Sequence, residues 1–275
     1  MRARFVVAGG ERVRVAECGD AGAPPVLLVH GWGVSVFTWR HVLPALGAAG
    51  WHAMAFDLRG HGLSDKPVGE EAYTTSALVA HVRAVRDALG IDRCALAAMS
   101  MGAVLVRELM LDDPSRVSHL ALISPAGFGR IRRREMGRLF SPRLLAPLIA
   151  HLVPRMAVAR SMARTYGPNA APLDRDIDDY WAPSQFPEFV LASRHLLHAF
   201  DWAPPDPERF ARTDLPPMLA LLGSHDRLID LEATEVYLAA HVPRCRIEVV
   251  QGGGHALHED TPAEANRLLV GLLRG

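Results

Sequence analysis

Short apolar runs alternate along this chain with segments whose apolar residues recur at helical spacing. The runs cover residues 13–17, 26–30, 52–56, 94–98, 120–124, 218–222 and 246–250. Between them, Ser76 to Leu89 and Val104 to Leu111 place apolar side chains three and four apart, as does Pro262 to Leu273 near the C-terminus. Thr261 stands where it would cap a helix whose first residue is Pro262. Strands buried on both faces read as continuous apolar runs, so this alternation predicts an α/β fold: a mainly parallel sheet with helices on both sides.

The alternation stops from about Gly127 to Arg212, where Pro, Arg and short apolar helical stretches replace strand-like runs. The expected organisation is a core of residues 1–126 and 213–275, with a helical cap of residues 127–212 inserted between two strands. No repeat or low-complexity tract separates them, so they are expected to fold as one unit.

Composition acts mainly by exclusion. A chain of 275 residues that is 49% hydrophobic can bury one large core, which argues against intrinsic disorder. Lys plus Arg and Asp plus Glu number 30 each, so no global field draws the chain to nucleic acid or an anionic membrane, and a small-molecule partner is expected. The longest apolar stretch, Leu144 to Val153, is too short to cross a bilayer and is interrupted by Pro147 and His151. The N-terminus lacks the long apolar core of a secretory signal, and Cys18, Cys94 and Cys245 are odd in number and far apart. A cytoplasmic location is expected.

One short segment carries candidate chemistry. Ser100 follows the run 94–98 and precedes a helical segment, in Ala98-Met99-Ser100-Met101-Gly102. A sharp strand-to-helix turn would expose its hydroxyl, and small residues two positions before and after relieve the crowding of such a turn. The plainer alternative is a serine that caps the following helix. An acid and a histidine follow downstream, in the order Ser, acid, His, and the set resembles the α/β-hydrolase superfamily of serine hydrolases. The usual elbow there is Gly-x-Ser-x-Gly; this chain has Ala98 at the first small position. The resemblance implies a sheet of about eight strands under an inserted cap.

His255 lies in Gly252-Gly253-Gly254-His255 after the last run, and Asp226, in Gly223-Ser224-His225-Asp226, resembles the family's acid turn. In that reading Ser100 is the nucleophile, His255 takes its proton, and Asp226 fixes the imidazole tautomer and stabilises the imidazolium. Asp230 is a second candidate acid, but it stands where a helix N-cap is expected. His30-Gly31-Trp32-Gly33 resembles the family's oxyanion loop, which implies that the backbone N–H groups of Trp32 and Met101 face a tetrahedral intermediate. A Trp here with a Met after the serine is similar to aryl esterases and cofactor-free perhydrolases. The segment Asp57 to Asp65 resembles the loop after the family's fourth strand and is assigned a structural role.

His195 and His198 are three apart, and His258 is three after His255, but no carboxylate completes a metal-binding set at recognisable spacing, so neither metal nor cofactor is expected. The basic run Arg130-Ile131-Arg132-Arg133-Arg134 is either a site for an anionic group or a solvated helix face. Trp181, Phe189 and Trp202 are candidate substrate-binding residues for a medium-sized apolar acyl or aryl group, although large aromatics also glue a cap to its core. The leading expectation is hydrolysis of a carboxylic ester or related acyl compound through an acyl-serine. Carbon-carbon bond hydrolysis is the rival, but meta-cleavage product hydrolases usually carry a Trp just after the catalytic His, where this chain has Ala256. A lyase or cyclase, or a non-catalytic receptor, are further uses of the same fold.

Overall fold

The chain begins with a hairpin that the apolar pattern does not reveal. The computed structural model describes residues 1–129, 131 and 153–274. In it β1 (Arg2–Ala8) pairs antiparallel with β2 (Glu11–Cys18), Ala8 opposite Glu11. Gly9 and Gly10 have φ of 57° and 84°, the mirror-image turn whose twist matches a two-residue hairpin. β1 lies at the sheet edge, where Arg2 and Arg4 pair with Glu17, so charged positions break up the run.

The remaining strands are β3 (Pro25–Val29), β4 (His52–Phe56), β5 (Cys94–Met99), β6 (Val117–Ile123), β7 (Met218–Gly223) and β8 (Cys245–Val250). The eight strands are ordered β1-β2-β4-β3-β5-β6-β7-β8, with β1/β2 and β2/β4 antiparallel and the other neighbours parallel. All seven predicted runs are strands of this sheet. Their ends move by a few residues: His30 and Ser124 lie just beyond β3 and β6.

Among the described residues the α-helices are α1 (Val42–Ala48), α2 (Thr75–Ala88), α3 (Met101–Asp112), α4 (Arg155–Thr165), α5 (Asp174–Trp181), α6 (Pro187–Ala199), α7 (Pro207–Ala211), α8 (Leu231–His241), α9 (Leu257–Asp260) and α10 (Pro262–Arg274). Successive strand residues point to opposite faces, which explains the continuous apolar runs. Val26 and Leu28 pack on one side with α1 and α10, while Leu27 and Val29 pack on the other with α2 and α3. Both layers are needed to bury a strand such as β5, all six of whose residues are buried.

Thr261 stands at the junction of α9 and α10. It directly precedes α10, and its hydroxyl donates to the Leu257 carbonyl at 2.6 Å, closing α9, which leaves its oxygen lone pairs free to accept. Helices α4 to α7 all lie between β6 and β7, where the sequence predicts an insertion. Of the basic run, only Ile131 is described, bridging to Ile229; Arg130 and Arg132 to Arg134 lie outside the described residues, as does Leu144 to Leu152. Among the described residues no helix is long and apolar enough to cross a membrane. All three cysteines are free, and burial pushes the Cys94 and Cys245 thiols up to about 12 each.

Candidate active site

The carboxyl ends of β3, β5, β7 and β8 carry the predicted site residues to one edge of the sheet, where open α/β sheets bind their ligands. Ser100 is the single residue between β5 and α3, with φ 50° and ψ −120°. That conformation costs a non-glycine residue on the order of 1–3 kcal/mol, and the surroundings must impose it. They do so through the backbone: Ser100 N–H donates to Ile123 O at 2.9 Å, and its carbonyl accepts from Ala103 and Ala126. Gly102 is required by close approach, since a Cβ there would stand 2.5 Å from Val29 O and 2.6 Å from His30 O. Ala98 sits fully buried within β5, so its extra methyl fits. Although Ser100 occupies the N-cap position of α3, its side chain makes no capping bond, which separates it from a merely structural serine.

The loop of residues 30–33, the candidate oxyanion loop, lies against this elbow: a Cβ on Gly31 would be 3.0 Å from Ser100 Cβ. Met101 is the first residue of α3, so its N–H is one of the donors a helix leaves without an internal partner. Among the described residues the Trp32 backbone N–H has no acceptor either. Two buried histidines hold the loop. His30 Nδ1–H donates to Gly31 O at 2.7 Å while Nε2 accepts from Leu58 N–H at 2.9 Å. His61 Nδ1–H donates to Arg59 O at 3.1 Å while Nε2 accepts from Gly33 N–H at 3.1 Å. Burial lowers the pKa of both, that of His61 well below its ordinary value, which keeps each ring neutral and able to accept. Asp57 accepts from Val36 N–H at 2.7 Å and Leu63 N–H at 2.9 Å, so the segment 57–65 braces the loop rather than reaching the serine.

Asp226 Oδ2 accepts from His255 Nδ1–H at 2.8 Å. Its other oxygen accepts from Leu228 and Ile229 N–H at 2.8 and 3.0 Å. Burial opposes ionisation of this carboxyl, but His255 and those two amides hold it below the usual carboxylate range. Asp230 instead caps α8, accepting from Ala233 N–H at 3.2 Å. No hydrogen bond joins the Ser100 hydroxyl to His255 among the described residues, a contact that often tightens only when substrate is bound. Their loops are nonetheless tied: Thr38 Oγ1 lies 3.5 Å from Met99 Sδ, next to Ser100, and 2.8 Å from Nε2 of His258, three residues after His255.

That tie belongs to a buried polar cluster that the sequence does not signal. Glu259 accepts from Thr38 Oγ1 at 2.5 Å, Arg40 Nη1 at 2.6 Å, Tyr180 OH at 2.7 Å and Tyr166 OH at 3.0 Å. Burial penalises its charge, yet the Arg40 guanidinium and these donors hold the carboxyl below its ordinary range. Burial pushes neighbouring His258 down to about 4, so that ring is neutral. Tyr166 and Tyr180 come from the insertion, so Glu259 joins it to the core. Removing one partner of a buried pair strands the other, so Glu259→Gln should lose ~3 kcal/mol of stability. Urea unfolding measures this, and a loss below ~1 kcal/mol would show the cluster to be energetically idle.

The candidate substrate-binding aromatics take different places. Phe189, on α6, meets the His61 ring edge-on at 6.1 Å, and Trp32 Nε1–H donates to Ser193 O on the same helix at 3.0 Å, so α6 rests on the loop of residues 30–33. Trp181 is half-buried and donates to Val153 O at 2.9 Å. Trp202 is buried in the main core cluster, 4.8 Å from the Phe200 ring, beside the Asp201–Thr75 bond that seals the seam with α2. His195 stacks on Tyr73 at 5.6 Å. Among the described residues no three His, Cys, Asp or Glu side chains gather as a metal site.

Comparison with known proteins gives a consistent answer. The family model described as alpha/beta hydrolase fold matches residues 24–262. Epoxide hydrolase A of Mycobacterium tuberculosis is 28% identical, over 99% of this chain and 97% of its own length. The crystal structure of epoxide hydrolase A from Mycobacterium thermoresistibile has a TM-score of 0.79 at 26% identity, covering 100% of this chain and 98% of that one. A 2-hydroxy-6-oxo-6-phenylhexa-2,4-dienoate hydrolase from a Rhodococcus strain has a TM-score of 0.84 at 19% identity, covering 100% and 99%.

Proposed function

The chain belongs to the α/β-hydrolase fold family, and from that premise we propose that it is a serine hydrolase cleaving a carboxylic ester or related acyl compound through an acyl-serine intermediate. Ser100 Oγ attacks the acyl carbon as His255 Nε2 takes its proton, and Asp226 stabilises the imidazolium. The N–H groups of Trp32 and Met101 receive the developing oxyanion, each worth ~3 kcal/mol in the transition state. The leaving alkoxide regains the proton from His255, and water then repeats the sequence on the acyl-serine.

One observation carries this reading: the 2.8 Å Asp226–His255 hydrogen bond stands at the same sheet edge as a serine whose strained backbone serves no capping bond. It also favours acyl transfer over the epoxide opening in the names of the relatives. A serine that opened an epoxide would be left as an alkyl ether, with no carbonyl for water to attack. A carboxylate nucleophile would leave a hydrolysable ester, but position 100 is serine. The test is to quench the enzyme during turnover of an activated acetate ester and weigh it. A mass increase of one acetyl group on the peptide holding Ser100 supports the reading; turnover with no acyl-enzyme at any time refutes it.

We further propose that residues 127–212 act as a cap that selects the substrate, with Phe189 and Trp181 contributing apolar surface to a medium-sized acyl or aryl group. Each lost apolar contact is worth ~1–3 kcal/mol in discrimination. Phe189→Ala and Trp181→Ala should therefore change the order of catalytic efficiency across esters of increasing acyl length. An unchanged order in both variants would remove the cap from substrate choice.

A further inference from the structure

The loop that carries His255 is tied on one side to the core, where Gly253 N–H donates to Val250 O at 3.2 Å and Gly253 O accepts from His225 N–H at 2.9 Å, and on the other side to the insertion. On the insertion side, the residue after the histidine bonds directly to the last residue of α4, and the residue before it shares an acceptor with Gly167. Ala256 N–H donates to Thr165 O at 3.0 Å. Gly254 N–H donates to Asp260 Oδ2 at 2.7 Å, and the same oxygen accepts from Gly167 N–H at 2.7 Å. Asp260 thus uses one oxygen to tie two backbones together, one immediately before His255 and one from the insertion. The approach is close enough that a Cβ on Gly254 would collide with Thr165 O and the Gly167 amide, and a Cβ on Gly167 would collide with Gly252 O. The other Asp260 oxygen is buried without a hydrogen-bond partner.

We infer that Asp260 is a positioning residue for His255, clamping Gly254 to Gly167 so that the insertion sets where the imidazole stands. The inference rests on the triad reading above. Three features support it. The carboxyl touches neither His255 nor Asp226 through any of its bonds, so its action is on the backbone. Burial raises its pKa from the ordinary value while the Gly167 and Gly254 amides lower it, so those two backbone bonds are what favour the carboxylate at this position. The adjacent Glu259 anchors the same short helix to Thr38 and Arg40, so the Asp260 carboxyl reaches Gly254 and Gly167 from an element fixed to the core.

Asp260→Ala removes both acceptor bonds, whereas Asp260→Asn keeps a carbonyl oxygen able to take them. The experiment compares parent, Asp260→Ala and Asp260→Asn by thermal unfolding, by kcat and KM on an activated acetate ester, and by the rate of fluorophosphonate labelling at Ser100. A small displacement of a catalytic group costs up to ~100-fold in rate. Asp260→Ala should therefore lose ~10- to 100-fold in kcat and in labelling rate with KM little changed, and Asp260→Asn should recover most of both. A merely structural role would lower the melting temperature of Asp260→Ala while leaving kcat per labelled site at the parental value, and that result overturns the inference. Should Asp260→Ala not fold, Asp260→Ser, with one acceptor oxygen, makes the same comparison. If the parent itself is not labelled at Ser100, the triad reading fails and this one with it. If the parent is labelled and the alanine variant is labelled equally fast, only the positioning role fails.

Discussion

Replacing Ser100 with alanine is expected to leave a folded protein whose turnover falls by about five to six orders of magnitude, the loss seen when the nucleophile of a cooperating triad is removed. The fold should survive because the side chain contributes no capping bond and the elbow is held by backbone hydrogen bonds to Ile123, Ala103 and Ala126. Alanine also has a Cβ, so it inherits the φ of 50° without adding to the strain. The stability change should stay within ~0.5 kcal/mol, the usual range for a substitution that removes no partner. Steady-state turnover of an activated ester and a urea unfolding curve on the same preparation measure both quantities. A folded Ser100→Ala variant that keeps even a hundredth of parental turnover would mean that another group is the nucleophile.

The second large effect is expected from Asp226→Asn, and the geometry says why. One carboxylate oxygen accepts from Leu228 and Ile229 N–H, so the amide oxygen of an asparagine is kept there. Its NH2 group then faces His255 Nδ1 and donates to it, moving the ring proton to Nε2, the atom that must accept from serine. A wrong tautomer in otherwise intact geometry costs ~10⁴ in kcat. Asp230→Asn should leave turnover near the parental level, since asparagine caps α8 as well as aspartate does. The Asp226 carboxyl is held below its ordinary range, so its contribution to stability is complete above ~3.9, the unfolded value, and is lost as pH falls through the lower folded one. The reverse outcome, with Asp230→Asn impaired and Asp226→Asn active, would mean that the acid was misassigned.

The strands of the core were legible because burial on both faces leaves β3, β5 and β7 no polar positions. β1 was not, because an edge strand is free to carry Arg2 and Arg4; its one signal was Gly9-Gly10, a hairpin turn awaiting a second strand. The candidate triad was readable from order and from position at strand ends. Glu259 and Asp260 were not, since two acids shortly before a helix are ordinary and their partners Arg40, Tyr166 and Gly167 are remote in sequence. Trp202 shows a different limit: local sequence marks an aromatic as buried without saying whether it faces a ligand or, as here, Phe200 and the seam with α2.

The central claim is that Ser100 is an activated nucleophile, and covalent mapping tests it most directly. The parent is treated with a fluorophosphonate probe, digested and sequenced by mass spectrometry. A single phosphonylated peptide modified at Ser100, absent when the protein is unfolded before treatment, is the predicted result. Modification at another serine, or none under conditions where the enzyme turns over esters, would contradict it.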